Sequence, residues 1–267
     1  MTAPLARSHV RWRAWALAGV ALALFVLLRL VLGPLAQQAS YHDLADTRTL
    51  GPVPRVGDVL SNLAILAAGL WGATRGPKLR ADDGERLAWR MLVAATIATA
   101  LGSTWYHLAP SDATLVWDRL PMSLVMAALL ALVLADRVDA RFAREALLPF
   151  GAVGVASVAW WAATADLTLY AVVRVGTGAA IVVLLILRPG RTRGAGWLWA
   201  AIALDVGMTL LERYDRAVWD ATGELASGHN VKHLLAGAVL ACVFAWLTHR
   251  APRSATAQDR HRPTLEA

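Results

Sequence analysis

Three histidines and two oxygen-bearing side chains near them have the types and spacing that chemistry would need. In GSTWYH, Ser103 and His107 are four residues apart, and in GHNVKH, His229 and His233 share that spacing. On a helix, residues at i and i+4 lie on one face, one turn from each other. The His229/His233 pair can therefore present two imidazoles to one metal ion, with His107 from another helix as the third protein ligand. Three neutral nitrogens at about 2.0 to 2.1 Å leave one tetrahedral position for water, the arrangement of a catalytic zinc rather than a structural one. The expectation is an open Zn2+ site held by His107, His229 and His233. For any one of these histidines taken alone, hydrogen-bonded packing is the competing account.

Asp118, in VWDRLPM, is the expected proton carrier. A carboxylate beside an activated water can take its proton as a base and later supply one to a leaving amine as an acid. The competing roles are a helix N-cap or an ion-pair partner of Arg119. Ser103 would donate to the water or to a developing oxyanion, against ordinary helix packing by a small hydroxyl residue. Arg174 and Asp205 lie at similar depth in their spans and are expected to form a structural ion pair. Glu212 and Asp215, in LLERYDR, either organise the loop leading to His229 or are solvated loop charges. His9, His42, His249 and His261 fall in termini or loops and are expected to be solvated.

The elements that must position these groups are membrane helices. Of 267 residues, 57% are hydrophobic and 17% charged, against roughly 25% charged in soluble domains. A hydrocarbon core of about 30 Å takes roughly 17 to 25 helical residues. Apolar stretches of that order occur near 14–33, 57–75, 87–107, 114–135, 146–164, 167–188, 196–212 and 230–249. They are continuous rather than alternating, and lipid offers no water to an open sheet edge, so they read as helices. The fold class is an all-α polytopic bundle, one transmembrane domain over 1–250. A polar tail, 251–267, is expected to be cytoplasmic and disordered.

The net charge of +7 is not read as a nucleic-acid footprint, because the basic residues sort by loop. Most of the 26 lysines and arginines lie before the first span, in the second, fourth and sixth connections, or in the tail. Examples are Arg11, Arg13, Lys78, Arg80, Arg86, Arg141, Arg144, Arg191, Arg193, Arg253 and Arg260. The other connections hold Arg48, Arg55, Arg213, Arg216 and Lys232. The positive-inside rule then places both termini in the cytoplasm. With that topology the outer span ends bring Asp58, Ser61, Asn62, Ser103, His107, Asp118, His229 and His233 to one depth. Intramembrane ionisable residues cost about 2.5 to 3.5 kcal/mol on insertion scales, which makes such a gathering a functional hypothesis.

Trp12, Trp15, Trp89, Trp105, Trp117, Trp197 and Trp246 fall near span ends and read as interfacial belts. The single Cys242 excludes an intramolecular disulfide and a cysteine-rich metal site. The first span has a basic start, as a signal peptide would. Its apolar run of about 20 residues, with no A-x-A site after it, favours an uncleaved helix.

The segments DVLSN at 58–62, STWYH at 103–107, DRLPM at 118–122 and HNVKH at 229–233 together resemble the alkaline ceramidase family. That family is a branch of the membrane hydrolase superfamily that also includes adiponectin-receptor-like proteins. The resemblance covers about 58–245, in the same order. It implies a seven-helix hydrolase core, here with an additional N-terminal transmembrane helix. It also implies zinc on His107, His229 and His233, with Asp118 and Ser103 orienting the water. The implied reaction is hydrolysis of the amide of ceramide or a related N-acyl lipid to a fatty acid and an amine. Its implied partners are the lipid amide and membrane lipids. The animal ceramidases' calcium-binding segment has no clear match in YHDLADTRTLGPVPRVGD, despite Asp43, Asp46 and Asp58, so calcium is not carried over. The Ala- and Arg-rich composition fits a bacterial inner-membrane member. A receptor-like or regulatory protein with a structural zinc site is the second function class, and an ion-conducting transporter the third.

Overall fold

The computed structural model describes residues 3–76 and 81–251, with side chains from residue 9 onward. Lys78, Arg80, the side chain of Arg7, and the tail from Pro252, with Arg253, Arg260, His261 and Arg262, lie outside the described residues. Within them the chain is helical and holds no β-strand, only isolated bridges. Eight helical segments are long and apolar enough to cross a membrane. They are α1 (Ala3–Leu32), α2 (Val56–Arg75), α3 (Asp83–Leu108), α4 (Asp112–Arg137), α6 (Leu147–Thr164), α7 (Thr168–Leu187), α8 (Ala195–Arg213) and α10 (Gly228–His249). A single turn, α5 (Phe142–Glu145), leads into α6, and the short α9 (Asp215–Ala221) leads towards α10.

Local sequence explains the helix starts that matter for the site. Ser111 and Thr114 form a reciprocal capping box at the head of α4, and Ser227 with Asn230 does the same for α10. Each box satisfies backbone donors that the first turn leaves without helical acceptors. The α4 box excludes one of the competing roles for Asp118. Asp118 neither opens its helix nor caps it, but sits in the second turn of α4. Only Ala109, Pro110 and Ser111 separate α3 from α4, so the two run antiparallel as neighbours, and the last turns of α3 face the first turns of α4.

Small residues set the closest approaches, as is usual where lipid supplies no hydrophobic drive between helices. A Cβ at Gly102 would collide with the backbone carbonyl of Trp117. Pro121, four residues after Trp117, is inside α4 and has no N–H to give that carbonyl. The α3 backbone thus occupies space beside the carbonyl that the proline frees, next to Ser103 and Asp118. Gly237 packs α10 against the Ala64 backbone of α2, and Gly228 packs the head of α10 against the Leu211 carbonyl of α8.

The core lies between α3, α4, α6 and α10, with Leu92, Leu132, Phe244 and Trp246 fully enclosed. Two of the tryptophans expected in the belts belong here. Trp89 and Trp246 are buried, Trp89 edge-on to Phe244 with ring centroids 5.1 Å apart. Trp12, Trp15, Trp105, Trp117 and Trp197 are exposed on the outer faces. Helix α1 docks on α5, α6 and α7 through Val10, Ala14 and Ala18. Its far end is pinned to the α6–α7 turn: Arg29 Nε donates to Asp166 Oδ2 at 2.9 Å, and the Leu35 amide donates to Asp166 Oδ1 at 3.1 Å.

Candidate metal centre

His107 lies in the last turn of α3, and His229 and His233 lie in the first two turns of α10. All three are buried, at 1%, 4% and 4% exposure. Their ring centroids form a near-equilateral triangle with sides of 4.8, 4.9 and 4.8 Å, and one ring nitrogen from each falls within 4.8 Å of the others. Zinc–nitrogen distances of about 2.0 to 2.1 Å imply a tetrahedral edge of about 3.3 to 3.4 Å. His107 Nε2 and His229 Nε2 stand 3.3 Å apart. Two imidazole lone pairs approach that closely only around a shared proton or cation, so the donor set and spacing fit a metal ion.

A neighbouring hydroxyl orients the His233 ring. Ser61 Oγ lies 3.0 Å from the carbonyl of Asp58, to which it donates, and 2.8 Å from His233 Nδ1. With its proton committed to the carbonyl, the serine accepts from His233. That puts the imidazole proton on Nδ1 and leaves the Nε2 lone pair for a ligand, the usual role of a second partner behind a metal-binding histidine. The Asp58 carboxylate accepts from Asn230 Nδ2 at 2.5 Å, tying α2 to the capping box of α10. The His229 amide donates to Asp215 Oδ1 at 2.7 Å, and Asp215 Oδ2 accepts from the Ala45 amide at 2.9 Å. Asp215 therefore organises the head of α10, the first of the two roles considered for it.

The loop between α1 and α2 closes over this end of the bundle. Asp46 is fully buried and takes both Arg48 Nε, at 2.9 Å, and Arg48 Nη2, at 2.6 Å. Burial pushes the Asp46 carboxyl up, but the Arg48 hydrogen bonds and charge outweigh it and hold it below the usual carboxylate range. A Cβ at Gly57 would strike the ends of the Asp46, Asn230 and Arg48 side chains, so any larger residue there would have to displace them. His42, expected to be solvated, is half-buried and bonded at both nitrogens, to the Tyr106 hydroxyl at 2.9 Å and to Asp112 at 3.1 Å. His9 and His249 are exposed.

Beside the histidines opens a cavity of about 420 Å3 whose walls include His233, Ser103 and Asp118. Its polar end also carries Tyr41, Arg119, Glu212 and Lys232. Further along α4 and α10 the lining turns apolar, with Met122, Val125, Met126, Leu129, Val239 and Leu240. Ser103 and Asp118 interact across the α3–α4 contact. Glu212 is half-buried rather than a free loop charge: it accepts from Lys232 Nζ at 2.7 Å and from the Tyr41 hydroxyl at 3.3 Å. Arg174 and Asp205 both line the cavity, but among the described residues they form no contact ion pair. The two side chains face the same space and feel each other's charge, but beyond contact distance.

The three histidines, Asp118 and Ser103 are recognisable in the sequence. Asn230 and Lys232 have no predicted role there, Ser61 is only one of the polar groups at that depth, and Arg119 only a candidate ion-pair partner of Asp118. The pair Ser227-x-x-Asn230 is a recognisable helix start, and Ser61 follows Asp58 by one turn. No local signal reveals which of these side chains turn towards the histidines. Comparison with known protein families, with curated proteins and with solved structures finds no match.

Proposed function

We propose that this protein is a zinc-dependent membrane hydrolase that cleaves the amide of an N-acyl lipid, ceramide or a related compound, to a fatty acid and an amine. One observation carries the reading: a buried three-histidine cluster adjoins a cavity that holds an acid and a hydroxyl at its polar end and an apolar lining beyond. A volume of about 420 Å3 falls in the usual range of small-molecule sites. Three histidines without cysteine favour zinc in a catalytic rather than a structural setting.

Bound there, zinc would supply a Lewis acid for the amide carbonyl and lower the proton affinity of a water molecule. The chain's own residues do the rest. Asp118 removes a proton from the attacking water as the carbon–oxygen bond forms. It returns that proton to the nitrogen as the carbon–nitrogen bond breaks, so the amine leaves neutral. Ser103 donates to the oxygen that gains charge between these steps. Met122, Met126 and Leu129 take the acyl chain, the methionines adapting to its course.

Purified, zinc-loaded protein assayed with a panel of N-acyl lipids should turn over at least one of them, and a chelator should abolish the turnover. Absence of turnover on every acyl amide by zinc-loaded protein would overturn the reading. The distribution of basic residues supports both termini in the cytoplasm and the histidine cluster towards the extracytoplasmic face of a bacterial inner membrane. A reporter inserted between α3 and α4 should then report from outside, and a cytoplasmic signal would reverse the topology.

A further inference from the structure

Arg119 follows Asp118 directly in α4, and it has no contact ion-pair partner among the described residues. Its guanidinium lies over three rings, with Cζ 4.2 Å from the centroid of Trp161, 5.2 Å from Tyr170 and 5.3 Å from Tyr41. Nη2 donates to Gln37 Oε1 at 2.7 Å. Among the described residues Nη1 has no hydrogen-bond partner, although Arg119 is only 6% exposed. Aromatic faces hold the guanidinium plane in place but neutralise neither its charge nor its in-plane donors. Buried donors without acceptors are rare in folded proteins. The neighbouring cation in the cavity, Lys232, is matched by Glu212 at 2.7 Å. Arg119 is instead held in place by neutral groups on a cavity wall, within electrostatic reach of the Asp118 carboxylate but not in contact with it.

We infer that Arg119 selects the substrate by binding an anionic oxygen, of a carboxylate or a phosphate, on the amine side of the scissile amide. The side follows from the course of α4. Residues after Arg119 line the apolar part that suits the acyl chain, while Gln37 and Tyr41, from the loop that covers the polar end, hold the guanidinium. The substrate class narrows to N-acyl lipids whose amine fragment is acidic, such as N-acyl amino acids or N-acyl aminoalkyl phosphates. Neutral amides would bind less well. The inference rests on the cavity being the amide-binding site.

The test measures binding as well as turnover. Full-length protein in nanodiscs is titrated with N-oleoylglycine, N-oleoylethanolamine phosphate and the neutral N-oleoylethanolamine. At least one anionic amide should bind on the order of tenfold more tightly than the neutral one, and which of the two does so identifies carboxylate or phosphate. Arg119→Gln should erase the gap, and Arg119→Lys should retain part of it. Equal binding of all three by the wild type would overturn the inference, as would a gap that survives Arg119→Gln, which would credit another group such as the metal. If Arg119→Gln does not assemble, the wild-type preference and the Arg119→Lys response decide the matter. A charge preference in binding without turnover of any amide would refute the hydrolase reading alone. Turnover without a charge preference would refute the Arg119 assignment alone.

Discussion

Ser61 and His233 come from α2 and α10, 172 residues apart in sequence, and meet at 2.8 Å, with the serine accepting because its own proton goes to the Asp58 carbonyl. This contact sets the tautomer of one of the three clustered histidines. Ser61→Ala should leave the helices in place and weaken zinc binding, since losing such a partner costs about 10- to 100-fold in metal affinity. Competition with a graded series of chelators measures this, and an unchanged zinc affinity would show that Ser61 has no orienting role.

Asp118→Asn keeps the size of the side chain and removes the base. The variant should retain zinc and thermal stability while turnover falls by about 10^2- to 10^4-fold, the usual contribution of a positioned acid–base group. Turnover measured beside metal content separates the two effects. Near wild-type turnover would remove Asp118 from the mechanism.

Gly102 stands where the α3 backbone meets the Trp117 carbonyl. Because backbone cannot yield as a flexible side chain can, Gly102→Ala should destabilise the protein by about 1 to 3 kcal/mol. It should also reduce activity by moving Ser103 away from Asp118. The paired readout is the unfolding midpoint in detergent and the rate on the best amide. A variant with both unchanged would mean that α3 and α4 have slack at this crossing.

Asp166 joins α1 to the rest of the bundle from the turn between α6 and α7. Burial raises its carboxyl, but hydrogen bonds from the Thr168 hydroxyl and amide, the Leu35 amide and Trp160 outweigh it and hold the group at about 2, against an ordinary value of 3.8. A carboxyl depressed in the folded state stabilises the fold fully above its unfolded value, and that contribution fades as pH falls through the folded one. The stability gap between wild type and Asp166→Asn should be constant at neutral pH and close between about pH 4 and pH 2. Thermal unfolding across that range checks it, and a gap independent of pH would point to packing rather than charge.

Much of this architecture is legible in the sequence. The membrane helices were legible because long unbroken apolar runs have few other outcomes, and the His229/His233 pairing because helical periodicity puts i and i+4 on one face. What escaped depends on direction around a helix or on the path of a loop. Trp89 and Trp246 lie near span ends as belt residues do, yet their helices turn them inward. Arg174 and Asp205 match in depth and line one cavity, yet stop short of contact. The loop that brings Tyr41 to Glu212, His42 to Tyr106 and Arg48 to Asp46 has no periodicity to read. Its course is set by the partners it meets.

The proposed chemistry depends first on the metal. Elemental analysis of protein purified without added chelator should give about one zinc per chain in the wild type. His107→Ala and His233→Ala should each lose it while keeping the helical content of the wild type. Full zinc retention in either variant, or no zinc in the wild type after loading, would contradict the three-histidine centre.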